Sequence, residues 1–155
     1  MSVIQFNQLS EAERNLLYNS PALVTCLIGD ADGNLNEAER KQSEHFVKIH
    51  TESGDAILFD FYKHVALNHQ VRIDEIENKF EYLSATEKEE SIIAELAKLN
   101  EILPKVDNLY ARVFIKSLRA LGKIVAESTG GIGGFFEISY DEERLLGLDM
   151  ITYQP

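Results

Sequence analysis

Gly29-Asp-Ala-Asp-Gly-Asn-Leu-Asn-Glu-Ala-Glu-Arg40 is an acidic turn set between two helical patterns, and the fold class follows from how it joins them. Upstream, Ala22-Leu-Val-Thr-Cys-Leu-Ile28 is an apolar run that feeds into the turn. Downstream, Asn36 with Glu39 three residues on is a helix-start signal, because the side chain at the first position and the carboxylate at the fourth satisfy each other's backbone donors. Gly33 supplies the free φ that a tight bend needs. Asp30 and Asp32 thus stand between two helix ends, with Asn34 and Asn36 able to add amide oxygens. Hard oxygens on such a turn suit a divalent cation.

The rest of the chain reads as helices joined end to end. Ser10-Glu-Ala-Glu13 is a capping box, and a first helix is expected to run to about Asn19, with a second restarting at Ser20-Pro21. A third follows Asn36 and presents Phe46, Val47 and Ile49. Ile57, Leu58, Phe61, Tyr62 and Val65 mark an amphipathic helix over 56–69, and a weaker one covers 71–82. Ser84-Ala-Thr-Glu87 is another capping box, opening a long helix that ends near Pro104. Val106, Tyr110, Val113, Phe114, Leu118, Leu121 and Val125 form the longest apolar stripe and predict a central helix. Beyond a loop at Gly130-Gly-Ile-Gly-Gly134, Ser139 to Glu142 predicts a last helix. With no alternating strand pattern and no Pro- or Ser-rich linker, the expectation is one all-α domain over 1–155, a bundle of about seven or eight helices.

Composition narrows the function. A formal charge of -11 over 155 residues repels phosphates and anionic headgroups, so nucleic acid and direct membrane insertion are disfavoured, while divalent cations and basic protein surfaces are attracted. No apolar run approaches the about 20 residues of a membrane span. The start of the chain shows no secretory pattern, and the single cysteine, Cys26, sits among apolar residues as a buried thiol; a cytoplasmic protein is the expectation.

The acidic stretch has an echo. Leu121-Gly-Lys-Ile-Val-Ala-Glu127, a glycine-containing turn, and Ile138-Ser-Tyr-Asp-Glu-Glu-Arg144 repeat its outline, with Asn36 and Ser139 as N-caps and Glu39 and Glu142 three residues later. Ser128-Thr129 replaces the two aspartates. These residues, with Ile28-Gly-Asp-Ala-Asp-Gly-Asn-Leu-Asn-Glu-Ala-Glu39, resemble the tellurite-resistance TerB-like family, from about the second helix to the last. That resemblance implies an all-helical domain with a pseudo-two-fold helix-turn-helix repeat, acidic residues at the turns, and a role in metal binding or a stress response. Tellurite resistance itself does not follow from a likeness of fold.

Each candidate has a plainer alternative. Gly33 and Glu39 match positions six and twelve of an EF-hand loop, but its first position would be Ile28, which has no ligand atom. Asp30 and Asp32 read equally as an Asx-type turn or as cation ligands. Glu39 and Glu142 read first as capping residues and second as ligands, and Glu127 is the other acidic residue placed to contribute from the second half. His45 and His50, like His64 and His69, are five apart, which turns their rings in different directions and argues against zinc; Ca²⁺ or Mg²⁺ is the expected ion. The glycine loop lacks the Gly-Lys-Ser/Thr ending of a phosphate-binding loop. No nucleophile elbow, Cys/His pair or dinucleotide fingerprint is present, so no enzyme is expected. The alternative to a cation-binding module is an interaction module, in which Phe135, Phe136 and adjacent helix faces dock a protein partner or a second copy.

Overall fold

A computed structural model describes residues 3–31, 33–128 and 143–154. Among these residues the chain is all helical, with no strand. Its helices are α1 (Glu11–Gly29), α2 (Glu37–Ile49), α3 (Phe59–Ala66), α4 (His69–Lys79), α5 (Ala85–Ala97), the one-turn α6 (Leu99–Ile102) and α7 (Asn108–Glu127). Six of the described helices have eight residues or more. Among the described residues no helix is long and apolar enough to cross a membrane.

The largest departure from the expected order lies at Ser20-Pro21, where the helix does not restart. Pro21 sits inside α1, a single helix of 19 residues. Proline cannot donate to the carbonyl one turn back and commonly breaks a helix there. Here the Ser20 hydroxyl donates to the Leu17 carbonyl at 2.6 Å, supplying the hydrogen bond that Pro21 lacks. Thr25 donates to the Pro21 carbonyl at 2.8 Å one turn later. The expected helix over 56–69 is also divided: a 3₁₀ turn, Ala56–Leu58, leads into α3, and α4 begins at His69. The long helix after Ser84 ends at Ala97, and α6 and the 3₁₀ turn Leu103–Lys105 carry the chain past Pro104.

α1 is the axis of the core. From Ser20 to Gly29 it is buried on every side, the pattern of a helix with neighbours all round. α7 packs along it with one apolar face, and Gly122 faces Val24 and Ile28, where even a Cβ would lie in ordinary van der Waals contact at 3.5 Å. α3, α4 and α5 complete the ring around α1. Phe6 meets Tyr18, Phe61 and Tyr110 edge to face, Tyr18 stacks on Phe61, and the Phe61 and Phe114 rings are perpendicular at 5.2 Å. The stripe expected to mark the central helix does form α7 from Tyr110 on, but the helix enclosed on every side, over its second half, is α1.

The C-terminal stretch returns to this core through Leu145, Leu148 and Ile151. Asn100 pins it, donating to the Met150 carbonyl at 2.8 Å and accepting from the backbone of Thr152 and Tyr153. The glycine loop, Phe135, Phe136 and the helix expected from Ser139 lie outside the described residues.

Candidate functional site

The acidic turn is built as the sequence suggests. Asp30 closes α1, its N–H donating to the Cys26 carbonyl at 2.9 Å. Gly33 has φ +149°, a conformation that side chains disfavour. Asp30 Oδ1 accepts the Leu35 N–H at 2.8 Å, so the carboxylate is held by the loop it begins. Leu35 lies against Gly29, where any Cβ would overlap its side chain. Asn36 then caps α2: its side chain accepts the Glu39 N–H, and the Glu39 carboxylate accepts the Asn36 N–H, both at 2.8 Å.

The partners of Asp30 come from elsewhere in the chain. Its Oδ2 lies 2.7 Å from the Lys88 ammonium of α5, and the same ammonium pairs with Glu77 of α4. The three side chains retain only 14–23% of their surface. Two carboxylates therefore share one ammonium. Glu77 Oε1 is buried with no hydrogen-bond partner among the described residues. Burial, with the nearby Asp30 carboxylate adding to it, raises the Glu77 pKa. Burial works against the Lys88 charge, but Asp30 and Glu77 outweigh it and hold the ammonium above its ordinary pKa. Cys26 is fully enclosed beside this cluster, and its thiol is pushed well up by burial and by the two carboxylates.

Asp30, Glu77 and Lys88 line a cleft of about 290 Å³. Leu27, Phe80, Leu83 and Ile92 form apolar walls; Asn34, Glu81 and Glu89 add polar groups at the cleft. Asn34 is exposed. Asp32 and Glu142 lie outside the described residues. Glu127 is placed on a different surface, 3.8 Å from Lys123, in a groove between α2 and α7. Asn36 and Glu39 are brought to the turn as a reciprocal cap. Among the described residues no three His, Cys, Asp or Glu side chains converge as a metal-binding group. None of the histidines lines the cleft.

Glu77 and Lys88 were not singled out by the sequence. They lie eleven residues apart. The signal that was present is the Ser84–Glu87 capping box, which sets α5 just after α4 and so brings the end of one against the start of the other. Neither a family model, nor a curated protein, nor a solved structure matches the chain.

Proposed function

We propose that this chain is a non-enzymatic helical binding module whose acidic cleft takes a divalent cation. The observation that carries the reading is the sharing of one ammonium by Asp30 and Glu77. The pair keeps an excess negative charge in a mostly enclosed place, where Coulomb attraction is several times stronger than in water. Lys88 stands where a cation would stand. A divalent ion compensates both carboxylates at once by displacing that ammonium outward, with Asp32 and Asn34 as further oxygen donors from the turn. Asn36 and Glu39 hold the turn in shape; Glu127, on the other surface, is not among the ligands of this cleft, and Glu142 has the weaker claim. Oxygen donors favour Ca²⁺ or Mg²⁺ over Zn²⁺. The resemblance of the turn to TerB-like domains supports the same reading, and with it a bundle of about seven or eight helices with a pseudo-two-fold helix-turn-helix repeat in a cytoplasmic stress-response setting.

Calorimetric titration with Ca²⁺, Mg²⁺, Mn²⁺ and Zn²⁺ tests this. The wild type is expected to give saturable heat with a hard cation, lost in Asp30→Ala/Asp32→Ala and in Glu77→Gln. No heat from any ion would overturn the reading.

A second reading, association through an apolar face, is favoured by the groove of about 420 Å³ between α2 and α7, flanked by the exposed Ile49 and Ile124. The groove lies near the end of α7, shortly before Phe135 and Phe136 in the chain. Its occupant would be a second copy. Ile124→Glu and Phe135→Ala/Phe136→Ala should then abolish a concentration-dependent dimer in light scattering; a monomer at every concentration in the wild type would exclude it.

A further inference from the structure

Away from the cleft, His69 and Ser43 form a buried pair across the seam between α4 and α2. His69 is 3% exposed and Ser43 fully buried, with Nε2 and Oγ 3.0 Å apart. The direction of this bond can be worked out. The Ser43 hydroxyl donates to the Arg40 carbonyl at 2.8 Å, so its proton is committed and its oxygen accepts from His69. Nε2 therefore carries the imidazole proton and Nδ1 the lone pair. Nδ1 is buried with no hydrogen-bond partner among the described residues.

A proton added to this ring must go to Nδ1, where it finds no acceptor. It also finds no countercharge. The charges acting on His69 are Arg72 on its own helix and Arg40 on α2, both cations. Asp74, also on α4, is bonded to Arg40 at 2.9 Å, and α1 contributes the neutral Asn19, which accepts from Arg72 at 2.6 Å. A protonated ring would thus be a third cation at the seam, desolvated and unpaired, an arrangement that a protein interior strongly disfavours.

We propose that His69 is a proton-operated latch: protonation of Nδ1 releases the start of α4 from α2. The fold makes the position consequential. Besides His69, the contacts holding the start of α4 to α2 are the Arg40–Asp74 pair and the hydrogen bonds between Arg40 and Gln70. The other end of α4 carries Glu77 into the cleft. Release of α4 therefore loosens one wall of the acidic cleft, whatever that cleft binds.

Burial, with Arg72 and Arg40 adding to it, pushes the His69 pKa down to about 4 from 6.5. A group whose pKa is depressed in the closed state holds the seam fully shut above its open-state value, and loses hold as pH falls towards the closed-state one. Between pH 7 and pH 5.5 the opening of the seam should rise roughly tenfold, and by pH 4.5 roughly fiftyfold. Hydrogen exchange of the backbone amides in α4, corrected for intrinsic rates, reads this directly. The expected result is a loss of protection of that size in α4 while α7 keeps its own, and its disappearance in His69→Gln. Glu77 titrates with the opposite sign and is unchanged in His69→Gln, so the difference between the two proteins isolates the histidine. Equal loss in α4 and α7, or the same pH dependence in His69→Gln, would overturn the proposal. Should His69→Gln fail to fold, ring NMR of the wild type serves: titration of His69 near pH 6.5 with α4 still protected would overturn the proposal too, and titration below pH 5 in step with α4 exchange would support it.

Discussion

Replacing Lys88 with methionine removes the ammonium between Asp30 and Glu77 and keeps a stem of similar length. At neutral pH the two carboxylates would then face each other without compensation. Breaking a fully buried ion pair on one side costs about 3–5 kcal/mol. The side chains here keep 14–23% of their surface, so water screens part of the repulsion and about 2 kcal/mol is expected. For a domain of this size that lowers Tm by roughly 4–8 °C. The loss should depend on pH in a defined direction. The Glu77 pKa is already raised in the folded wild type and must rise further without Lys88. A group raised in this way favours folding when protonated, so the deficit should shrink as pH falls and Glu77 takes up its proton, and grow as pH rises through the folded value. Urea denaturation at pH 7.5 and pH 5.0 measures both quantities. A variant within 0.5 kcal/mol of wild type at pH 7.5, a tolerance of about the size of a neutral surface change, or one with the same deficit at both pH values, would refute the electrostatic reasoning. Added Ca²⁺ or Mg²⁺ at ten times its dissociation constant should restore about 1.4 kcal/mol of that deficit.

Three further substitutions test how the cleft is held. Ser20→Ala leaves the Leu17 carbonyl in α1 without a donor, because Pro21 has no N–H, and should cost about 1–2 kcal/mol in urea denaturation despite the better helix propensity of alanine. Gly29→Ala drives a methyl group into Leu35; a loss of about 1–3 kcal/mol is expected, with weaker exchange protection of the Leu35 amide that Asp30 holds. Asn36→Ala removes the cap of α2 and should cost about 1 kcal/mol, visible as fraying of its first turn in hydrogen exchange.

Short-range chemistry made much of this architecture legible. The reciprocal caps at Ser10–Glu13, Asn36–Glu39 and Ser84–Glu87 each depend on two residues three apart, and all three form. The apolar stripe from Val106 to Val125 likewise needs only helical spacing to be recognised, and from Tyr110 on it forms the buried face of α7. Pro21 misled because the residue that compensates for it, Ser20, acts through a hydroxyl rotamer that periodicity does not register. The site was half legible for a related reason. Asp30 is marked by its own turn, whereas Glu77 and Lys88 reach it across the bundle through the packing of α4 and α5. Glu77 and Lys88 look like ordinary solvated charges in an acidic chain until the helices are placed.

The most direct test is a carboxyl ¹³C NMR titration of the wild type with Ca²⁺ and with Mg²⁺, following the side-chain carbons of Asp30 and Glu77 together. Binding at the cleft predicts that both move and saturate at the same ion concentration, while the exposed Glu37 stays in place. Resonances of Asp30 and Glu77 that never move with either ion would leave Lys88 as their permanent partner and contradict a cation site there.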